Sequence, residues 1–294
     1  MSLTTPRASK LKALSPPTDD GAGTRRRVAS RASGNRKSRR VLKTVGIQIL
    51  SVAIFLTIWQ IAGGHVNPIL LATPTHVWDA FVQMSRDGVL WPAFLRAMEV
   101  LGCGFGIAAV GGIVIGILMG RSTIARAVLN PYVSFFQATP LIALTPLVVI
   151  WTGIGFTSEI LITVLLALWS IIINTSEGIR NTPANLLDMA RVYRSSELSI
   201  VRNVALPHAI PYIFAGLRIG LAKALIGVII GEMDISLKGL GGLIQNDGDA
   251  FQTAPLLAAI ICSSLVGVIG TVILELLRRR IAPWANTNDA HRKV

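Results

Sequence analysis

Six stretches of this chain are each apolar over the length an α-helix needs to cross a bilayer, and nothing else in the sequence constrains the fold as strongly. A helix rising about 1.5 Å per residue needs about 20 apolar residues to traverse the hydrocarbon core. The stretches are residues 45–63, 96–120, 128–151, 159–175, 208–232 and 254–277. They predict an all-α, polytopic membrane protein with six transmembrane helices. Charged residues make up only 15% of the 294, against about 25% in a soluble domain, which excludes soluble, disordered and collagenous classes. Cys103 and Cys262 both lie inside apolar runs, so neither a disulfide framework nor a paired metal-ligand set is expected.

The third stretch contains Pro131, Pro140 and Pro146. Each removes a backbone donor, so a kinked or broken helix is expected, buried in protein where neighbours satisfy the freed carbonyls.

The net charge of +13 raises nucleic acid or an anionic membrane surface as a partner, and its location decides. Twelve of the 28 basic residues fall in residues 1–45, beside only Asp19 and Asp20. Residues 1–43 are polar, basic and unable to bury a core, so a disordered cytoplasmic tail is expected. A transmembrane domain over 44–282 and a short cytoplasmic tail over 283–294 follow. Counted over alternate connecting segments, 23 Lys and Arg fall on the side of the N-terminus and two, Arg86 and Lys238, on the other. Basic residues accumulate inside, so both termini are expected in the cytoplasm. More than 40 polar residues precede the first apolar run, which argues against a cleaved secretory signal.

The outer segment 64–95 holds an amphipathic piece on the membrane surface, with Thr75 as its expected N-cap, Val77, Trp78, Phe81 and Val82 as its apolar residues and Gly88 as its stop. On the cytoplasmic side, residues 181–207 are too polar to span and read as two short helices. Thr182 and Pro183 supply a cap and first turn, after which Leu186, Ala190 and Tyr193 share a face. A second helix starts at Ser195 or Ser196, places Leu198, Val201 and Ala205 on one face, and is expected to end at Leu206-Pro207.

The spacing within this loop resembles the cytoplasmic motif of ABC importer permeases: Glu-Ala-Ala, three residues, Gly, nine residues, Ile, one residue, Leu-Pro. Here Asp188-Met189-Ala190, Arg194, Val204 and Leu206-Pro207 stand in that register. Ala190, Leu206 and Pro207 match, while arginine stands where the motif has glycine. Arginine pays roughly 1 kcal/mol or more for the positive φ that glycine accepts freely, which leaves a turn of different shape open. Further segments resemble the sulfonate, taurine and nitrate permease subfamily: Leu71-Ala72-Thr73-Pro74, Thr139 to Leu147 with Trp151 and Gly153-Ile154-Gly155, Gly216-Leu217-Arg218, Glu232-Met233 and Gly239-Leu240-Gly241. The position after Ser158, usually basic in that subfamily, is Glu159.

The resemblance implies a type I permease fold in a bacterial inner (plasma) membrane, with the chain one of two permease subunits, likewise implied to be a homodimer. A separate cytoplasmic ATP-binding subunit and an extracytoplasmic substrate-binding protein would complete the importer. It implies ATPase-coupling residues Asp188, Met189, Ala190, Arg191, Tyr193, Arg194, Leu198, Val201, Val204, Leu206 and Pro207, and a small anionic solute such as an alkanesulfonate, taurine or nitrate. Arg218 and Lys223 lie in the fifth stretch without an acid three or four residues away, and intramembrane cations line polar pathways or find partners such as Glu99 or Glu177. With Gln137, Thr139, Trp151 and Glu232 they are the candidate pathway residues, and the Gly239 to Gly242 segment a candidate outer gate or a plain surface turn. No catalytic residue, metal site or cofactor is expected, and no Gly-x-x-x-x-Gly-Lys-Ser/Thr loop is present. The rival readings are an autonomous ion-coupled transporter or channel and a membrane scaffold; the first predicts inverted repeats and mid-span acids, and neither is seen.

Overall fold

The computed structural model describes residues 46–286. The basic tail expected over 1–43 and most of the C-terminal tail lie outside them. The chain divides into two units, Met1–Ile58 and Trp59–Val294. The described part of the first is helical and belongs to α1 (Gly46–His65), with exposed Ile47, Leu50, Ile54 and Ile58.

In the second unit, α6 (Phe156–Arg180) is packed between α3 (Leu90–Arg121) and α9 (Leu206–Gly231). Small residues make this possible, because without a hydrophobic driving force in lipid, helices associate by close van der Waals approach. Gly104, Gly112, Gly116 and Gly120 of α3 meet Thr163, Ile171, Thr175 and Ile179 of α6. Gly220 and Gly227 of α9 meet Ile171 and Thr163 from the other side. Ala108, Ala167, Ile171, Ala224 and Val228 are fully buried in the resulting core.

Among the described residues five helices are long and apolar enough to span: α1, α3, α6, the continuous helical segment Glu197–Ser236, and α11 (Thr253–Ile281). A sixth crossing exists if the bent pair Thr123–Ala138 and Leu141–Thr152 counts as one span. That pair bends by 94°. The break sits at Pro140, which precedes a 3₁₀ turn at Leu141–Leu144 and α5 (Thr145–Thr152). Pro131 stays within an unbroken α4 (Thr123–Ala138), and Pro146 occupies the first turn of α5, where a missing N–H costs nothing. Among the described residues this segment buries Val133, Thr145 and Val148 and leaves most of its other side chains half-buried or exposed. The Ile142 carbonyl, which Pro146 leaves without an α-helical donor, accepts from the Thr145 hydroxyl at 2.7 Å.

The outer segment forms α2 (Pro74–Arg86). Its cap is Thr73 rather than Thr75, accepting from His76 N–H at 3.4 Å, and Pro74 takes the first position. Gly88 stops it at φ 70, in the left-handed region that glycine enters without strain. Val77 is buried against Ala72 and Ala258.

Pro207 does not end a helix. A π-helical stretch, Val201–Ala205, joins α8 (Glu197–Ile200) to α9, and Leu206 N–H reaches back to Val201 O. Widening the turn accommodates a ring that an α-helical ladder would reject. The Gly239 to Gly242 segment is neither loop nor surface turn but the buried start of α10 (Gly239–Asp249).

Candidate coupling surface and intramembrane charges

α7 (Ala184–Val192) starts at Pro183; Thr182 is not its cap, and its hydroxyl donates to Ile179 O at 2.8 Å. The helix ends in a Schellman motif: Ser195 N–H donates to Ala190 O at 3.1 Å and Arg194 N–H to Arg191 O at 2.9 Å. Arg194 sits at φ 55, so it adopts the left-handed conformation that the motif assigns to glycine, and the turn keeps its shape. Replacing Arg194 by glycine should therefore stabilise the protein by roughly 0.5–1 kcal/mol. Thermal unfolding of the purified protein checks this, and a lower midpoint for the variant would contradict it. The second helix opens as expected, with Ser196 accepting from Ser199 N–H at 3.3 Å and Glu197 in the first turn.

The structure sorts the loop residues into two sets. Met189, Tyr193 and Leu198 are exposed, Tyr193 to 80% and Leu198 to 78%. Leu186 and Val192 extend this apolar surface, and Val192 was not among the residues picked from sequence. Asp188 and Arg191 are exposed and paired to each other at 3.1 Å, and Arg194 is also exposed. Ala190, Val201, Val204, Leu206 and Pro207 are half-buried and hold the loop together, with α7 packing on the π-helical stretch. Arg121 at the end of α3 forms an ion pair with Glu197, tying the start of the second helix to the bundle. A local sequence pattern carries no signal for that contact.

Three of the intramembrane charges, Arg96, Glu159 and Glu232, stand near one another. Glu159 is fully buried and paired with Arg96 at 3.2 Å, and the Arg96 guanidinium lies 4.7 Å from the Phe156 ring centre. Glu232 is also fully buried; its Oε2 accepts from Gly241 N–H at 2.8 Å, so it anchors the first turn of α10 and faces no open surface. A side chain at Gly239 or Gly241 would overlap Glu232, which explains the glycines there. Gln137 and Trp151 are exposed and Thr139 half-buried around the broken helix pair. Lys223 is half-buried and Arg218 exposed; among the described residues neither makes an ion pair, and Glu177 is taken by Arg180 at 2.8 Å. Arg218 lines a cleft between α9 and α11.

Residues 112–283 match the family described as "Binding-protein-dependent transport system inner membrane component". The chain is 32% identical over 243 residues to the putative aliphatic sulfonates transport permease protein of Bacillus subtilis, covering 82% of this chain and 88% of that one. It is 28% identical to the taurine transport system permease protein of Escherichia coli, covering 84% and 91%. It is 30% identical to the riboflavin transport system permease protein of Chloroflexus aurantiacus, covering 80% and 88%. The fold is similar to a chain of the inward-facing MetNI methionine ABC transporter, with a TM-score of 0.56 at 17% identity over 64% of this chain and 93% of that chain.

Proposed function

The chain belongs to the family of binding-protein-dependent transport system inner membrane components, a multi-pass permease subunit of a bacterial ABC importer and not an enzyme, and we propose that residues 181–207 couple it to a separate cytoplasmic ATPase. The observation that carries this reading is the exposed apolar surface of Met189, Val192, Tyr193 and Leu198, displayed by a loop whose motif register and Arg194 turn are intact. Large exposed apolar patches on a polar loop mark interaction sites. Nucleotide-driven closure of the ATPase would move this loop. The continuous helix from Glu197 to Ser236 would carry the motion across the membrane, and a second copy would complete the pathway. In this arrangement the broken pair is the remaining one of six spans, both termini are cytoplasmic, and a loaded binding protein docks on segments 64–95 and 233–253. The relatives that transport sulfonates and taurine support a small organic oxyanion as the solute.

The test is reconstitution in proteoliposomes with a cognate ATPase and binding protein. ATP-dependent uptake of an alkanesulfonate or taurine, stimulated by the binding protein, is the expected result. Uptake of riboflavin but of no oxyanion would overturn the solute class. Uptake that proceeds without any ATPase would overturn the importer reading.

A further inference from the structure

We infer that the cleft between α9 and α11 is a binding site for the phosphate of an anionic phospholipid. The cleft has a volume of about 510 Å³ and is lined by Arg218, Phe214 and Ile219 of α9 and by Leu274, Glu275 and Arg278 of α11. Its single carboxylate is already engaged. Arg278 donates to both oxygens of Glu275, at 2.8 and 2.7 Å, and Arg279 adds a third bond at 3.0 Å. Two guanidinium groups thus share one acid, and Arg218, lining the same cleft, has no carboxylate partner among the described residues.

Arg218 stands twelve residues beyond Leu206, well inside a span, where an uncompensated cation is costly. An anion in the cleft removes that cost. The lining distinguishes a lipid from a small hydrated ion. The guanidinium groups alternate with Phe214, Ile219 and Leu274. Exposed apolar residues continue away from the cleft, at Ile219 and Ile226 along α9 and at Ile269, Ile273 and Leu277 along one face of α11. A ligand that matches both parts has an anionic head and an apolar tail. Basic pockets between membrane helices hold phospholipid headgroups in this way. The head would sit toward the end of α11 that carries Arg278, Arg279 and Arg280.

Native mass spectrometry of the full chain, extracted in mild detergent, should show phosphatidylglycerol or cardiolipin retained by the wild type. Retention should fall roughly five- to tenfold in Arg218→Gln, the loss of one charged contact, and stay unchanged in Arg86→Gln, outside the cleft. Independently of any variant, the wild type should melt higher in nanodiscs containing phosphatidylglycerol than in phosphatidylcholine alone. Equal retention by wild type and Arg218→Gln would overturn the proposal. So would free sulfate raising the melting point in phosphatidylcholine as much as phosphatidylglycerol does, a result that would assign the cleft to a small oxyanion.

Discussion

Tyr193→Asp combined with Leu198→Asp is expected to abolish nucleotide-driven transport while leaving the folded permease in the membrane. Both side chains are about four-fifths exposed, so removing them takes little packing from the chain itself. In a partner's groove the balance reverses. A buried aromatic anchor at an interface is worth about 2 kcal/mol, and a carboxylate left unpaired there costs about 1–3 kcal/mol more. Even counted once, these terms come to about 3–5 kcal/mol, so the two substitutions together should weaken ATPase binding by at least roughly 100-fold. Co-purification of the ATPase with the tagged permease reads the binding, uptake reads the function, and the thermal midpoint shows that the variant is folded. A doubly substituted permease that still recovers its ATPase would place the contact elsewhere on the molecule.

Val201 and Val204 should behave differently, although they belong with Tyr193 and Leu198 to the expected coupling residues. Both are half-buried within the π-helical stretch, so polar substitutions there act on the loop's own packing and lower stability together with coupling. Helical periodicity identifies an apolar face but does not say which of two apolar faces looks outward. That depends on how α7 rests on the residues before Leu206, a contact made in three dimensions.

Much of the remaining architecture follows the same division. Span lengths, a break within the proline-containing third stretch, a cap at Ser195 or Ser196 and the Gly88 stop are local properties, and local residues disclose them, though not which proline makes the break. The Arg96–Glu159 pair bridges 63 residues of sequence, and the Arg121–Glu197 pair joins two elements whose proximity no local rule supplies. Pro207 shows a local rule overridden: its helix-breaking tendency is absorbed by one widened turn, because the helix on either side is held by the bundle. Glu232 looked like a pathway residue because it is an acid at a span end. It is instead enclosed by α10, whose glycines admit a backbone donor to within 2.8 Å of its carboxylate.

The glycines of α3 provide the sharpest test of how the bundle is held together. Gly116→Ala is expected to destabilise the permease by about 1–3 kcal/mol, and Gly116→Leu to prevent its accumulation in the membrane. A Cβ at position 116 would lie 2.6 Å from Thr175 Cβ and 2.8 Å from the Ile172 carbonyl oxygen, so α3 and α6 would have to separate. That separation would propagate, because Gly112 and Gly120 sit one helical turn away on the same seam against Ile171 and Ile179. Gly106 supplies the control within the same helix. A Cβ there meets nothing within 4 Å, and alanine lowers the backbone entropy of the unfolded chain, so Gly106→Ala should be neutral or stabilise by up to about 1 kcal/mol. Membrane accumulation and detergent unfolding of the two alanine variants decide the matter. Equal behaviour would mean that the α3–α6 seam is not the element that sets the bundle's stability, whereas opposite signs would locate it there.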